Sequence, residues 1–510
     1  MKKTILLGKD GMTLEQLADI ARRGARVCLT AEAEKEITRS RNLIEKWVKA
    51  EKTIYGVTTG FGELSRVTIS PKDARQLQQN LLMSHAAGVG NPLDEESVRA
   101  AMALRIKDMA RGNSCVRLET VRHLADVLNH GICPVVPEKG SVGASGDLCP
   151  LAHIALVLIG MGEAFCKGKR MSGAEALQKC GLKPVELDSG EGISLINGTQ
   201  VMTAIAGLAV YDALHLCKLS DIAAAMSLEV LMGSRTEFDP RIHAVRPHPG
   251  QKAVAENMLR ITRNSEIITS HKDCCRVQDA YTLRCSPQVH GASRDAVQYA
   301  AKVIEIEINS STDNPLIFND SEEFLSGGNF HGQPIALAAD FMGMAIAEIA
   351  NISERRIERL VNPMLSGLPA FLVSDGGINS GFMIAQYTAA ALVSENKILA
   401  HPACVDSIPT SANKEDHVSM GTIAARKCRD ILRNTENVMA IEFLCAAQAL
   451  DLFTNLKPGE GTLAAYTLIR EAIPHLEKDR VLYKDIETMN RLMKSGKILK
   501  AVENKIGELV

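Results

Sequence analysis

Aromatic residues make up only 4% of the sequence, with a single Trp, so the core has to be built from Ala, Leu, Ile, Val and Met. That set favours helices. An excess of basic charge is also missing: 58 Lys and Arg stand against 60 Asp and Glu, a net charge of −2. This argues against a nucleic-acid partner, which calls for a clear basic surplus. Residues 1–7 hold only three consecutive strong apolar residues, Ile5, Leu6 and Leu7, far short of a signal-peptide core. The densest apolar run, residues 154–161, is too short to span a bilayer. A soluble chain with no membrane partner is expected. The 13 Cys are scattered or adjacent, as at Cys274 and Cys275, rather than framed at regular spacing. A reducing, cytoplasmic setting follows.

What is present is ordinary globular material, 46% apolar and 23% charged over 510 residues, enough for a large core. That length allows about two to four domains, or one extended helical body. Thr13-Leu14-Glu15-Gln16 has the form of a capping box and opens a segment expected to be helical to about residue 51. Two glycine-rich loops come next, residues 55–62 and 140–146, the second leading through Pro150 into an apolar helix from Leu151. Glycines permit positive φ and close backbone approach, and such loops often carry function. Residues 199–232, 334–361 and 382–400 are apolar on nearly every face, as in helices buried in a bundle or between subunits. No strand-like alternation of comparable length and no internal repeat accompany them. The expected fold is all-α. Its divisions are residues 1–198 with the glycine loops, 199–456 with the long helices, and 457–510, two charged helices behind the linker Lys457-Pro458-Gly459-Glu460-Gly461.

The second glycine loop, Gly140-Ser141-Val142-Gly143-Ala144-Ser145-Gly146-Asp147, is not a hydrolase elbow, because Asp147 stands where that motif needs glycine. It is not a phosphate loop, since no Gly-Lys-Ser/Thr ending follows. The dull alternative is a plain turn before a helix. The chemical alternative rests on small side chains. In Ala144-Ser145-Gly146 the amide nitrogen of Gly146 can reach the carbonyl carbon of Ala144 if the backbone bends sharply. Cyclisation with loss of water, and dehydration of Ser145, would leave an exocyclic methylene on an imidazolone ring, a soft electrophile that no ordinary side chain supplies. The positive end of the following helix could stabilise charge that develops on it.

On this segment and others in order along nearly the whole chain, the sequence resembles the aromatic amino acid ammonia-lyase family. The resemblance implies a long-helix bundle of the ammonia-lyase/fumarase-like type and 4-methylideneimidazole-5-one (MIO) formed from Ala144, Ser145 and Gly146. It also implies a homotetramer whose sites are each assembled from three chains. Tyr55 lies in a loop similar to the family's Tyr-Gly-Val-Asn-Thr-Gly-Phe-Gly, with Thr58 where Asn is common. Packing explains most tyrosines in such loops. As a base, Tyr55 would need neighbouring charge, since a phenol with pKa near 10 is mostly protonated at neutral pH. Tyr281, in Val277-Gln278-Asp279-Ala280-Tyr281-Thr282-Leu283-Arg284, matches the tyrosine expected beside the MIO. If that stretch is helical, Arg284 shares its face and suits an α-carboxylate. Asn197, in Leu195-Ile196-Asn197-Gly198, matches the MIO-contacting asparagine, and Gln278 and Phe330 match pocket positions.

Two segments bear on the substrate, a small amino acid. Ser84-His85-Ala86-Ala87-Gly88 resembles the histidine-specific members of the family, and His85 would hydrogen-bond an imidazole. Lys414-Glu415-Asp416-His417 points the same way. The phenylalanine and tyrosine enzymes typically carry Asn-Gln-Asp there, whereas the Glu415 carboxylate can accept an imidazole N–H and would be an unpaired charge against a phenyl ring. The expected reaction is non-oxidative elimination of ammonia from L-histidine, giving trans-urocanate, with Tyr55 or, as a rival, Glu415 removing the β-proton. A tyrosine or phenylalanine lyase, an aminomutase, or a helical scaffold with an uncyclised triplet are the alternatives. Lys414 adds a possible cation beside Glu415. His243 and His248 sit among prolines without the partners of a zinc site, so a structural loop and no metal are expected.

Overall fold

The computed structural model describes residues 3–60, 62, 69, 73–272 and 277–510. Helices dominate, and the nine strands among the described residues are three or four residues long. The capping box forms as the sequence predicts: Thr13 Oγ1 accepts from Gln16 N and the Gln16 side chain accepts from Thr13 N. The helix it opens, Leu14–Arg22, is shorter than expected. Gly24 takes a φ of +68°, and the chain then forms strand Arg26–Leu29, parallel to Thr4–Leu7. Helix resumes over Ala31–Lys49, capped by Thr30. A glycine at positive φ ends one helix, and the β-branched and apolar residues after it pair before the next cap.

The three all-apolar segments are helices close to their expected limits, Gln200–Val230, Gln333–Val361 and Met383–Leu399. The first two are long and apolar enough to cross a membrane by length and composition, but most of the most apolar stretch of each is buried within the chain, as in core helices. Met383–Leu399 differs: only Ala385, Ala389 and Asn396 are buried, and Ile384, Tyr387 and Ile398 are exposed. The C-terminal part holds three helices, Glu460–Ala472, Tyr483–Lys494 and Lys497–Ile506, not two.

Two compact units emerge. The first comprises Met1–Tyr211, Ala301–Asp340 and Pro402–Arg426; the second comprises Asp212–Ala300, Phe341–His401 and Lys427–Val510. In the second, Arg356 makes a buried two-pronged pair with Glu442 at 2.5 and 3.0 Å, and the Ser227 and Ser353 hydroxyls donate to the same carboxylate. Such a pair fixes how its helices meet, because removing one partner strands a buried charge at a cost of about 3–5 kcal/mol. The first unit carries both glycine loops.

Candidate active site

Gly143 and Gly146, at φ +67° and +71°, fold the 140–146 loop back on itself. Gly146 bridges to Gly198, and a Cβ on Gly146 would lie 2.1 Å from the Gly198 carbonyl oxygen, so no other residue fits there. Asp147 N donates to Gly198 O at 2.7 Å, and Asn197 Nδ2 donates to Ser145 O at 3.2 Å. The buried Asp147 carboxylate accepts from Val201 N and Met202 N, in the first turn of Gln200–Val230, and from Thr422 Oγ1. Burial nonetheless pushes this carboxyl up to about 7. Leu148 is held at φ +48° before helix Cys149–Leu158, which has Pro150 in its first turn. The tight loop thus leads directly into a helix N-terminus, as its glycines and proline predicted.

Facing Ser145 is a turn in which Thr410 and Glu415 exchange backbone hydrogen bonds and Ser411, Ala412 and Asn413 all have positive φ. It presents the Glu415 carboxylate, whose Oε1 accepts from Ser145 Oγ at 2.6 Å and whose Oε2 accepts from Thr410 Oγ1 at 2.8 Å. His85 ends helix Ala74–His85, with Nδ1 at 2.9 Å from Leu81 O. A carbonyl can only accept, so Nδ1 is assigned the proton and Nε2 is left as an acceptor. Burial holds the His85 pKa below its ordinary value, opposed by the Leu81 carbonyl and the Glu415 charge. The Tyr55 phenol oxygen accepts from Gly62 N at 3.1 Å. Thr58 closes the preceding turn, its hydroxyl accepting from Ile54 N and donating to Lys52 O, both at 2.9 Å. Phe61, in the same motif, lies outside the described residues.

Tyr55, His85, Ser145, Asn197 and Glu415 line one cavity of about 500 Å³. Leu77, Asn80, Leu81 and Ser84 form another wall. Their spacing, one face of a helix ending at His85, was a readable signal that motif matching passed over. Thr410 and Asp147 were also missed as orienting groups; local sequence offers no sign of partners so distant.

Other predicted residues lie elsewhere. Phe330 is half-buried just before Gln333–Val361 and does not line this cavity; the next residue, His331, stacks on His417 at 5.5 Å. Lys414 is exposed. Gln278, Tyr281 and Arg284 belong to the second unit. Tyr281–Arg284 is a single helical turn and sets the guanidinium 4.8 Å from the Tyr281 ring centre, so the two share a face as expected. Tyr281 is 72% exposed. Gln278 and Arg284 line a cavity of about 800 Å³ with Glu237 and Asp279. His243 lies in a short helix, Pro240–Ala244, rather than a loop, and both ring nitrogens are engaged, by Glu237 O and the Gln251 side chain. Among the described residues no group of three or more His, Cys, Asp or Glu is placed to hold a metal; Cys274 and Cys275 lie outside them.

Comparison with known proteins identifies the family. A sequence profile of the aromatic amino acid lyases matches residues 12–471. The chain is 56% identical over 504 residues to a histidine ammonia-lyase of Alkaliphilus oremlandii (strain OhILAs), covering 99% of both. It is 54% identical over 509 residues to that of Alkaliphilus metalliredigens (strain QYMF), covering 100% of both. Among solved structures, histidine ammonia-lyase from Trypanosoma cruzi superposes with a TM-score of 0.92 at 42% identity, over 99% of this chain and 96% of that one. Tyrosine aminomutase from Streptomyces globisporus gives 0.94 at 38% identity, over 100% of both. The chain belongs to the aromatic amino acid lyase family.

Proposed function

We infer that the protein eliminates ammonia from L-histidine, without oxidation, to give trans-urocanate. The observation that carries this reading is a carboxylate and a neutral imidazole on the wall of one small cavity with Ser145: Glu415 and His85. Both present acceptors, His85 through Nε2, and a substrate imidazole can donate an N–H to one of them when neutral and to both when protonated. A phenyl ring would leave the carboxylate desolvated and unpaired.

Elimination is hard because the amine leaves poorly and the β-proton is barely acidic. Cyclised and dehydrated as MIO, the triplet would supply an electrophile for the substrate's amine. The residues fit that group: Gly146 has no room for a side chain, Ala144 is buried, and the hydroxyl that must leave Ser145 is bound to a carboxylate. Asn197 holds the Ser145 carbonyl, and helix Cys149–Leu158 begins beside the triplet, both suited to stabilising negative charge there. Tyr55 is assigned removal of the β-proton, and Glu415, on the same cavity, is its rival.

Arg284 is assigned the substrate carboxylate, with Tyr281 and Gln278 beside it and Phe330 closing the pocket. These groups would come from neighbouring subunits of a homotetramer whose sites are each built from three chains. The exposure of Tyr281 and of the apolar side chains on Met383–Leu399 supports this, since such surface is covered in a symmetric assembly. No disulfide joins the described cysteines, which suits a reducing, cytoplasmic setting.

The fold fits an aminomutase equally well, so the test is chemical. Incubation with L-histidine should raise urocanate absorbance, and Ser145→Ala should abolish it. Coumarate from tyrosine, cinnamate from phenylalanine, or a β-amino acid, each without urocanate from histidine, would overturn the reading.

A further inference from the structure

The Asn197-Gly198 peptide behind the triplet is itself held in place. Arg105, on helix Glu95–Met109, is 1% exposed. Its Nη1 donates to the Asn197 carbonyl at 2.9 Å and to Gln200 Oε1 at 2.8 Å. Gln200 Nε2 donates onward to Asp108 Oδ2 and Thr312 Oγ1. The Asp108 and Asp313 carboxylates lie 3.3 and 3.7 Å from the guanidinium. A buried cation needs countercharge and acceptors around it; the two carboxylates supply the charge and the hydrogen bonds are made by Nη1 alone, Nε and Nη2 having no hydrogen-bond partner among the described residues. Contact with the peptide is tight: a Cβ on Gly198 would fall 2.5 Å from Nη1.

The same peptide faces the triplet on its other side. Gly198 O receives Asp147 N and stands against Gly146, and the Asn197 side chain holds Ser145 O. One peptide therefore has its first carbonyl fixed by Arg105 and its second pressed on the residue whose nitrogen must attack.

We propose that Arg105 is a positioning residue for maturation of the protein, holding the Asn197-Gly198 peptide as the backstop against which Ala144-Ser145-Gly146 closes. This rests on the MIO reading above. Closure forms the bond from Gly146 N to Ala144 C. The Ala144 oxygen leaves as water with the amide protons of Gly146 and Ser145, and the Ser145 hydroxyl leaves as a second water with the Ser145 Cα proton. No oxidant or reductant is required. Attack of one amide on a neighbouring carbonyl depends on how much of the time the bend is populated. With its carbonyl released, the Asn197-Gly198 peptide can turn, Gly146 can relax backwards, and closure slows.

The test reads mass rather than turnover. Wild type, Arg105→Met and Arg105→Lys are purified and compared by intact mass, far-ultraviolet circular dichroism and thermal midpoint. Wild type should be lighter than the encoded chain by two waters. Folded Arg105→Met should keep the encoded mass, and Arg105→Lys, with a cation able to reach the Asn197 carbonyl, should recover the two-water loss. A purely structural Arg105 would lower the thermal midpoint without changing the mass of folded material, and full dehydration of folded Arg105→Met overturns the proposal. Where Arg105→Met does not fold, Gln200→Leu, which removes the acceptor orienting the guanidinium, is read in the same way. Wild type at the encoded mass would instead overturn the MIO reading itself.

Discussion

Ser145 Oγ donates to Glu415 Oε1 at 2.6 Å across 270 residues of sequence. In the unreacted chain the serine hydroxyl occupies one oxygen of the carboxylate assigned to the substrate. On the MIO reading proposed above, loss of that hydroxyl on ring formation would open this oxygen to the cavity, so maturation and the readiness of the pocket would be one event.

Replacing the carboxylate tests its part in recognition. Glu415→Gln should lower kcat/KM for L-histidine by about 10- to 1000-fold, with the same intact mass deficit as the parent. Urocanate absorbance and intact mass check this. A variant as active on histidine as the parent would remove Glu415 from the pocket's chemistry.

Tyr55→Phe deletes the phenol oxygen that accepts from Gly62 N and leaves the ring in place. Turnover should fall about 10²- to 10⁴-fold with MIO absorbance unchanged. Full activity would move proton removal to Glu415.

Asp147 gives a pH signature in stability. Burial lifts its carboxyl to about 7, against about 3.9 in an unfolded chain. Between those values the folded chain holds a proton that the unfolded chain has released, so this group's contribution falls as pH rises and is level above about 7. The stability advantage of wild type over Asp147→Asn should therefore shrink from about pH 5 to about pH 7, measured by unfolding in urea. An advantage that stays level over that interval would show a carboxylate that ionises easily where it lies.

The exposed apolar side chains of Met383–Leu399 predict an assembly defect. Ile398, 74% exposed in the single chain, changed to Asp should yield smaller species by light scattering and a matching loss of activity. The stability of the single chain should move by no more than about 0.5 kcal/mol, as for other surface changes. A tetramer of unchanged size would place the subunit contact elsewhere.

The sequence was most legible where one local pattern decides the outcome. Thr13 and Gln16 announce a cap, Pro150 a helix start, and three continuous apolar runs become helices within two residues of their expected ends. It was least legible where distant groups meet. Nothing near residue 26 announces that Arg26–Leu29 pairs with Thr4–Leu7. Nothing in the loop around Asp147 says that its side chain caps a helix beginning at Gln200. Family motifs named Ser145 and Glu415 separately, and only folding makes them hydrogen-bonded neighbours. Thr58, an unexpected residue in its motif, proves to be a local turn closure.

The back-to-back contact of Gly146 and Gly198 closes most routes of change on that side of the cavity, since neither position admits a methyl group. An engineer seeking a new substrate is left with the opposite surfaces: the face of Ala74–His85 that carries Leu77, Asn80, Leu81 and Ser84, and the turn that presents Glu415. With the site as proposed, drift in specificity would be confined to those two surfaces, while the triplet's backing keeps its glycines.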